Sequence, residues 1–157
     1  MVTINSNSRF SPIKSLVVLT QTDTTVGFLS QDATKLQKIK NRPNSKPFIK
    51  VFQNFRALKS AGIRIPNLHK RAVRNAKKST FVVKNIAFRV AEGNLSSTIL
   101  RKRVWNYSTS ANASGKQFER DFCEEKADII VENKFGLYEG APSSLYKINN
   151  KRREKLR

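Results

Sequence analysis

The chain reads as short apolar clusters separated by charged and hydroxyl-rich stretches. Residues 15–20, Ser-Leu-Val-Val-Leu-Thr, are apolar and β-branched, the pattern of a buried strand, and a Thr- and Asp-containing loop ending at Gly27 follows them. Residues 32–40 favour a helix, with Asp32 as N-cap, Leu36 and Ile39 on one side, and Pro43 preventing continuation. Further strands are predicted at 48–52, at 80–83 and 86–90 around a Lys84-Asn85 turn, and at 104–109, 128–131 and 144–148. Helices are predicted at 57–60, 68–78, 95–103 and 117–126. Residues 1–14, rich in Ser and Asn, carry no sustained period and read as an N-terminal tail or irregular edge segment. Residues 151–157 are mostly charge and read as a basic C-terminal tail, leaving 15–150 as one domain. Interleaved strands and helices argue for an α/β fold, a mixed sheet with helices packed on it. The pattern does not give the strand order.

A length of 157 residues suits a single core, and 38% apolar content is enough to build one beneath a polar surface. Charge adds more: 31 Lys and Arg against 11 Asp and Glu leave a net +20, which makes a polyanion such as RNA the natural partner. The plainer alternative is a surface that is sticky without specificity. A single Cys123 and a single His69 leave no internal disulfide and no Cys/His zinc cluster, as suits a reducing cytoplasm. No apolar run reaches the roughly 20 residues that a membrane helix needs, so neither a membrane partner nor export is expected.

Two stretches carry candidate chemistry. In residues 40–47, Lys-Asn-Arg-Pro-Asn-Ser-Lys-Pro, cations emerge at a helix end, and the fork of Arg42 with the compact charge of Lys40 could hold a triphosphate. A solvated basic turn is the commoner use of such a string. In residues 107–115 the small and hydroxyl side chains around Ser110 and Asn112 offer donors and acceptors without charge. Alone, they read as a turn capping the next helix. Lys70, Arg71, Arg74, Lys77 and Lys78 give the 68–78 helix a basic face and are RNA-binding candidates, with His69 part of that face. Cys123 reads as a packed thiol, and Trp105 and Tyr107 as packing residues before base-stacking ones.

The order of these elements narrows the reading. A strand leading to Thr22-Asp23-Thr24-Thr25-Val26-Gly27 is followed by Lys40-Asn41-Arg42-Pro43, the 79–83 strand and Arg89-Val90. Ser108-Thr109-Ser110-Ala111-Asn112 and Pro142-Ser143-Ser144 complete a series that resembles the YrdC/Sua5 family over most of residues 16–148, the Lys-x-Arg and Ser-x-Asn elements being its specific part. The resemblance implies a single-domain, YrdC-like twisted sheet around a basic hollow, and a nucleotidyltransferase that makes L-threonylcarbamoyl-AMP from L-threonine, bicarbonate and ATP for tRNA modification. It implies that Lys40, Arg42 and Asn112 face ATP, with Lys40 and Arg42 catalytic. Thr22, Arg89, Ser110 and Ser143 would then surround threonine, and Mg²⁺ would accompany ATP with unassigned ligands. The implied partners are tRNA or double-stranded RNA and threonylcarbamoyl-transfer proteins. Departures from the family pattern fall at Gln21, Val26, 76–79 and Val51, and a late Arg-Pro-Gly is missing. They leave open a non-catalytic YrdC-like protein that binds RNA or the ribosome.

Overall fold

In the computed structural model, residues 1–4, 12–41, 47–91 and 102–157 are described. The chain forms two compact units where the length suggested one core: Met1–Phe48 with Asn106–Ala141, and Ile49–Trp105 with Pro142–Arg157. Each is a mixed sheet with helices packed on it, the α/β class that the interleaved pattern predicts.

The first unit contains β1 (Val2–Ile4), β2 (Val18–Gln21), β3 (Val26–Ser30), α1 (Ala33–Lys40), all but the first residue of β7 (Trp105–Ser110), α4 (Arg120–Lys126) and β8 (Ile129–Val131). Its strand order is β1-β8-β2-β3-β7; β2 runs parallel to β8 and the other neighbours are antiparallel. Val17, Leu19, Phe28, Leu36 and Cys123 are among the residues of its buried core. Asp32 caps α1 as expected, its carboxylate accepting from the backbone N–H of Thr34 and Lys35, and Asn41 ends the helix in the left-handed region at φ 44°.

Two readings of this unit are corrected. Val2–Ile4, inside the presumed tail, pairs with β8 as an edge strand. Gly27, read as the end of a loop, lies within β3 opposite Thr20 and Ser110. A Cβ there would sit 3.0 Å from the Thr109 carbonyl oxygen, so glycine is what lets β3 and β7 close up.

The second unit contains β4 (Ile49–Phe52), α2 (Phe55–Ser60), α3 (Lys70–Asn75), β5 (Ser79–Val83), β6 (Ile86–Val90), β9 (Ser144–Ile148) and β10 (Arg153–Lys155). The order is β4-β6-β5-β9-β10, with β4/β6 and β5/β9 parallel. Lys84 and Asn85 take φ of 45° and 64°, the two left-handed positions of a tight hairpin turn, as their place between two apolar runs suggests. Phe81 stacks between Phe88 and Tyr146, at centroid distances of 6.0 and 5.7 Å, on the sheet face that carries α2 and α3. Strand alternation therefore puts Thr80 and Arg89 on the opposite face.

The helix expected over 68–78 stops at Asn75, and the one expected over 117–126 starts only at Arg120. Part of the 151–157 stretch pairs with β9 as β10 rather than trailing as a tail. Most of the helix expected at 95–103 lies outside the described residues.

Candidate functional site

In the first unit the site begins at the end of α1. Lys40 is only 7% exposed, and its ammonium donates to the Ser110 carbonyl at 3.1 Å, the Asn112 carbonyl at 2.7 Å and Asn112 Oδ1 at 2.5 Å. Asn112 is pinned further: Oδ1 accepts from Ser110 Oγ at 2.8 Å, and Nδ2 donates to the Lys116 carbonyl. Two stretches some seventy residues apart, each ambiguous alone, thus form one hydrogen-bonded cluster around a buried cation. Such an ammonium turns several carbonyl oxygens inward beside the exposed Ser110. Arg42 lies outside the described residues.

Thr22 stands at the β2–β3 turn of the same unit. Its hydroxyl donates to the Thr25 carbonyl at 2.7 Å and accepts from the backbone N–H of Thr24 and Thr25, so it shapes the turn. The segment around Tyr138 and Gly140 straps this turn. Val26 N–H donates to the Tyr138 carbonyl, Tyr138 N–H to Gln21 Oε1, and Gly140 N–H to Thr25 Oγ1. Nothing in the sequence pattern pointed to that strap, because irregular chain carries no period.

A second cluster lies in the second unit. Arg89 Nη2 donates to Thr80 Oγ1 at 3.2 Å, and Thr80 Oγ1 lies 2.9 Å from Ser143 Oγ; the three residues are 7%, 0% and 4% exposed. Arg157 donates to the Ser143 carbonyl from Nε and Nη2. Arg89 and Ser143 were anticipated, whereas Thr80, which bridges them, and Arg157, read as tail charge, were not. The β5/β9 register, which pairs Ser79 with Ser144 and Thr80 with Leu145, brings Thr80 within reach of Ser143 and is a long-range feature.

The other residues singled out take the following places. Arg71, Arg74, Lys77 and Lys78 are exposed and Lys70 is half-buried, with the Arg74 guanidinium 4.9 Å from the centre of the Phe55 ring. His69 is not part of that face: it is buried, with Nε2 3.0 Å from the Asn149 carbonyl. Cys123 is fully buried, and burial pushes its thiol pKa up, as an inert packing residue requires. Tyr107 packs against the first core, while Trp105 packs against the second with Lys50 5.1 Å above its ring. Among the described residues no three His, Cys, Asp or Glu side chains assemble as a metal site, and no helix is long and apolar enough to cross a membrane.

The Sua5/YciO/YrdC family model, described as telomere recombination, matches residues 14–157. The chain belongs to this family. No curated protein matches it significantly. Among solved structures, P. abyssi Sua5 complexed with L-threonine aligns over 92% of this chain at 19% identity with a TM-score of 0.71. E. coli YciO aligns over 92% of this chain and 83% of its own, at 20% identity and a TM-score of 0.69. T. kodakarensis HypF aligns with a TM-score of 0.72 at 16% identity, over 92% of this chain and 23% of its own. This chain spans 51% of the Sua5 chain. Identities this low establish a common fold.

Within this Sua5/YciO/YrdC chain, two of the departures noted in the sequence have local structural roles. Val26 is 1% exposed in the first core, and its backbone joins Tyr138 on one side and Ala111 on the other. Gln21 receives the Tyr138 N–H, so its side chain ties the strap to β2.

Proposed function

We propose that this family member makes L-threonylcarbamoyl-AMP from L-threonine, bicarbonate and ATP, releasing pyrophosphate, and so supplies the intermediate for threonylcarbamoyladenosine in tRNA. The observation that carries the proposal is the Lys40–Ser110–Asn112 cluster, in which the family's Lys-x-Arg and Ser-x-Asn elements are hydrogen-bonded together. The likeness to a Sua5 complexed with L-threonine supports the choice of amino acid.

In the proposed reaction the threonine amine adds to bicarbonate with loss of water, giving a carbamate. A carbamate oxygen then attacks the α-phosphorus of ATP, the bond to the bridging oxygen breaks, and pyrophosphate leaves with the electron pair. Such a displacement needs alignment and neutralisation of charge more than a proton-relay triad. Lys40 would supply fixed positive charge and hold the Ser110–Asn112 loop in shape, with Arg42 meeting the phosphates. Arg89 would take the threonine carboxylate through its fork, and Thr22, Ser110 and Ser143 would offer hydroxyls. Magnesium would arrive held by the nucleotide's own phosphates, since the described residues form no carboxylate cluster for it. A threonylcarbamoyl-transfer protein would take the product onward.

The test is pyrophosphate release from ATP, expected only when L-threonine and bicarbonate are both present. Lys40→Ala and Arg42→Ala should each lower kcat/KM about 100-fold. Arg89→Lys, which loses the planar fork, should raise the KM for threonine about tenfold with a smaller change in kcat. Release that is indifferent to threonine in folded protein rejects the proposal. The net charge of +20 favours one second reading, an RNA-binding relative without turnover, which the same null result would support.

A further inference from the structure

The second unit carries a groove of about 790 Å³ that none of the proposed catalytic residues lines. Its floor is apolar and belongs to the core beneath α2 and α3, with Phe55, Ile63, Ile65, Val83 and Ile148 among its lining residues. It therefore opens on the helix side of the β4–β10 sheet, whereas Thr80 and Arg89 occupy the other face. Five cations stand around this floor, Lys59, Arg64, Lys70, Lys84 and Lys147, and among the described residues no Asp or Glu lines it. All but the half-buried Lys70 are exposed. A protein gains no stability from gathering like charges around an apolar cavity, because they repel one another.

The chain that crosses the groove narrows the choice of ligand. Ile63, Arg64 and Ile65 are in turn buried, exposed and buried, the alternation of an extended segment. Their backbone groups form no hydrogen bond with any other described residue. Backbone N–H and C=O groups require partners, so this segment offers donors and acceptors to whatever enters. The floor tells against a nucleic acid, since aliphatic side chains give phosphates and sugars nothing to hold. Bases stack on aromatic faces, and the one ring lining the groove, Phe55, already has the Arg74 guanidinium 4.9 Å from its centre. An extended peptide in which apolar and acidic residues alternate meets all three features. Its apolar side chains bury on the floor, its carboxylates complement the rim, and its backbone pairs with residues 63–65.

We propose that this groove docks an acidic, apolar-anchored segment of a partner protein, bound in extended form alongside residues 63–65. Lys59, Lys84 and Lys147 pair with its carboxylates, and Val83 and Ile148 receive its apolar side chains. The inference stands whether or not the chain synthesises threonylcarbamoyl-AMP.

The test measures binding of the full chain to a fluorescein-labelled octapeptide of alternating glutamate and leucine, by fluorescence anisotropy below the concentration at which the peptide self-associates. Probes with serine for leucine, or glutamine for glutamate, should each bind about tenfold more weakly. A serine probe that binds as tightly as the leucine probe overturns the proposal, because the floor is then unused. The triple variant Lys59→Glu, Lys84→Glu, Lys147→Glu is compared with Lys14→Glu, Lys38→Glu, Lys134→Glu, which makes the same charge change at exposed positions of the first unit. Circular dichroism and thermal melting confirm that both variants are folded. The groove variant should lose affinity for the leucine probe about thirtyfold, and the control less than about threefold. Equal losses in the two variants, or retained binding in the groove variant, overturn the proposal. A strand uses one edge for pairing, and the N–H groups of its alternate residues point to opposite edges. N-methylation at the leucines or at the glutamates should therefore weaken binding about tenfold in one case and far less in the other. Equal effects overturn the backbone pairing with residues 63–65. An RNA hairpin that loses as much affinity in the groove variant as the peptide does assigns the groove to nucleic acid and overturns the proposal.

Discussion

Lys40 closes α1 with an ammonium held away from solvent, where a charge is maintained only by good acceptors. Its partners include two backbone carbonyls and the Asn112 amide oxygen. Replacing it with methionine keeps much of the side-chain bulk but leaves part-buried acceptors without their charged donor. Lys40→Met should lower the free energy of unfolding by about 2 to 3 kcal/mol in urea titration. Lys38→Met, at an exposed position on the same helix, should change it by less than about 0.5 kcal/mol. A destabilised but folded Lys40→Met that still turned over at wild-type kcat and KM for ATP would limit Lys40 to a structural brace. The residue types of this cluster were legible in the sequence because they recur in the family's order. Their mutual hydrogen bonding was not, since it joins residues that are 70 and 72 positions apart, which no local pattern records.

At the level of elements, residues 137–140 show how irregular chain can fix a regular neighbour. Tyr138 and Gly140 supply backbone groups to Val26 and Thr25, and a Cβ at Gly140 would run into the Thr24 carbonyl oxygen. Gly140→Ala must therefore push the strap off the β2–β3 turn, at a cost of about 1 to 3 kcal/mol. The midpoint of thermal unfolding should fall accordingly, and a midpoint unchanged from wild type would contradict the tight approach. The elements that the sequence announced are those written in local chemistry: α1 through its Asp32 cap, and the β5–β6 hairpin through Lys84-Asn85 between two apolar runs. Those misread lack such signals. Gly27 looked like a break because a strand glycine is unusual, and only the closeness of β7 explains it. β1 and β10 are short and exposed edge strands, recognisable only from their partners β8 and β9. His69 was misplaced because its charged sequence neighbours hid a position that points inward.

For the whole molecule, the two units carry separate cores and separate polar clusters, Lys40 with Ser110 and Asn112 in one, Arg89 with Thr80 and Ser143 in the other. Composition gives the excess of cations, 31 Lys and Arg against 11 Asp and Glu. Charge of this kind predicts binding to a polyanion and says nothing of a reaction. The reaction rests on the polar clusters, and the identity of its product tests it most directly. Wild-type protein is incubated with ATP, L-threonine and carbon-labelled bicarbonate, and the nucleotide products are analysed by mass spectrometry. The account predicts threonylcarbamoyl-AMP that carries the label in its carbamoyl carbon and forms in step with pyrophosphate. Pyrophosphate without a labelled nucleotide adduct, or an unlabelled threonyl-AMP, would contradict it.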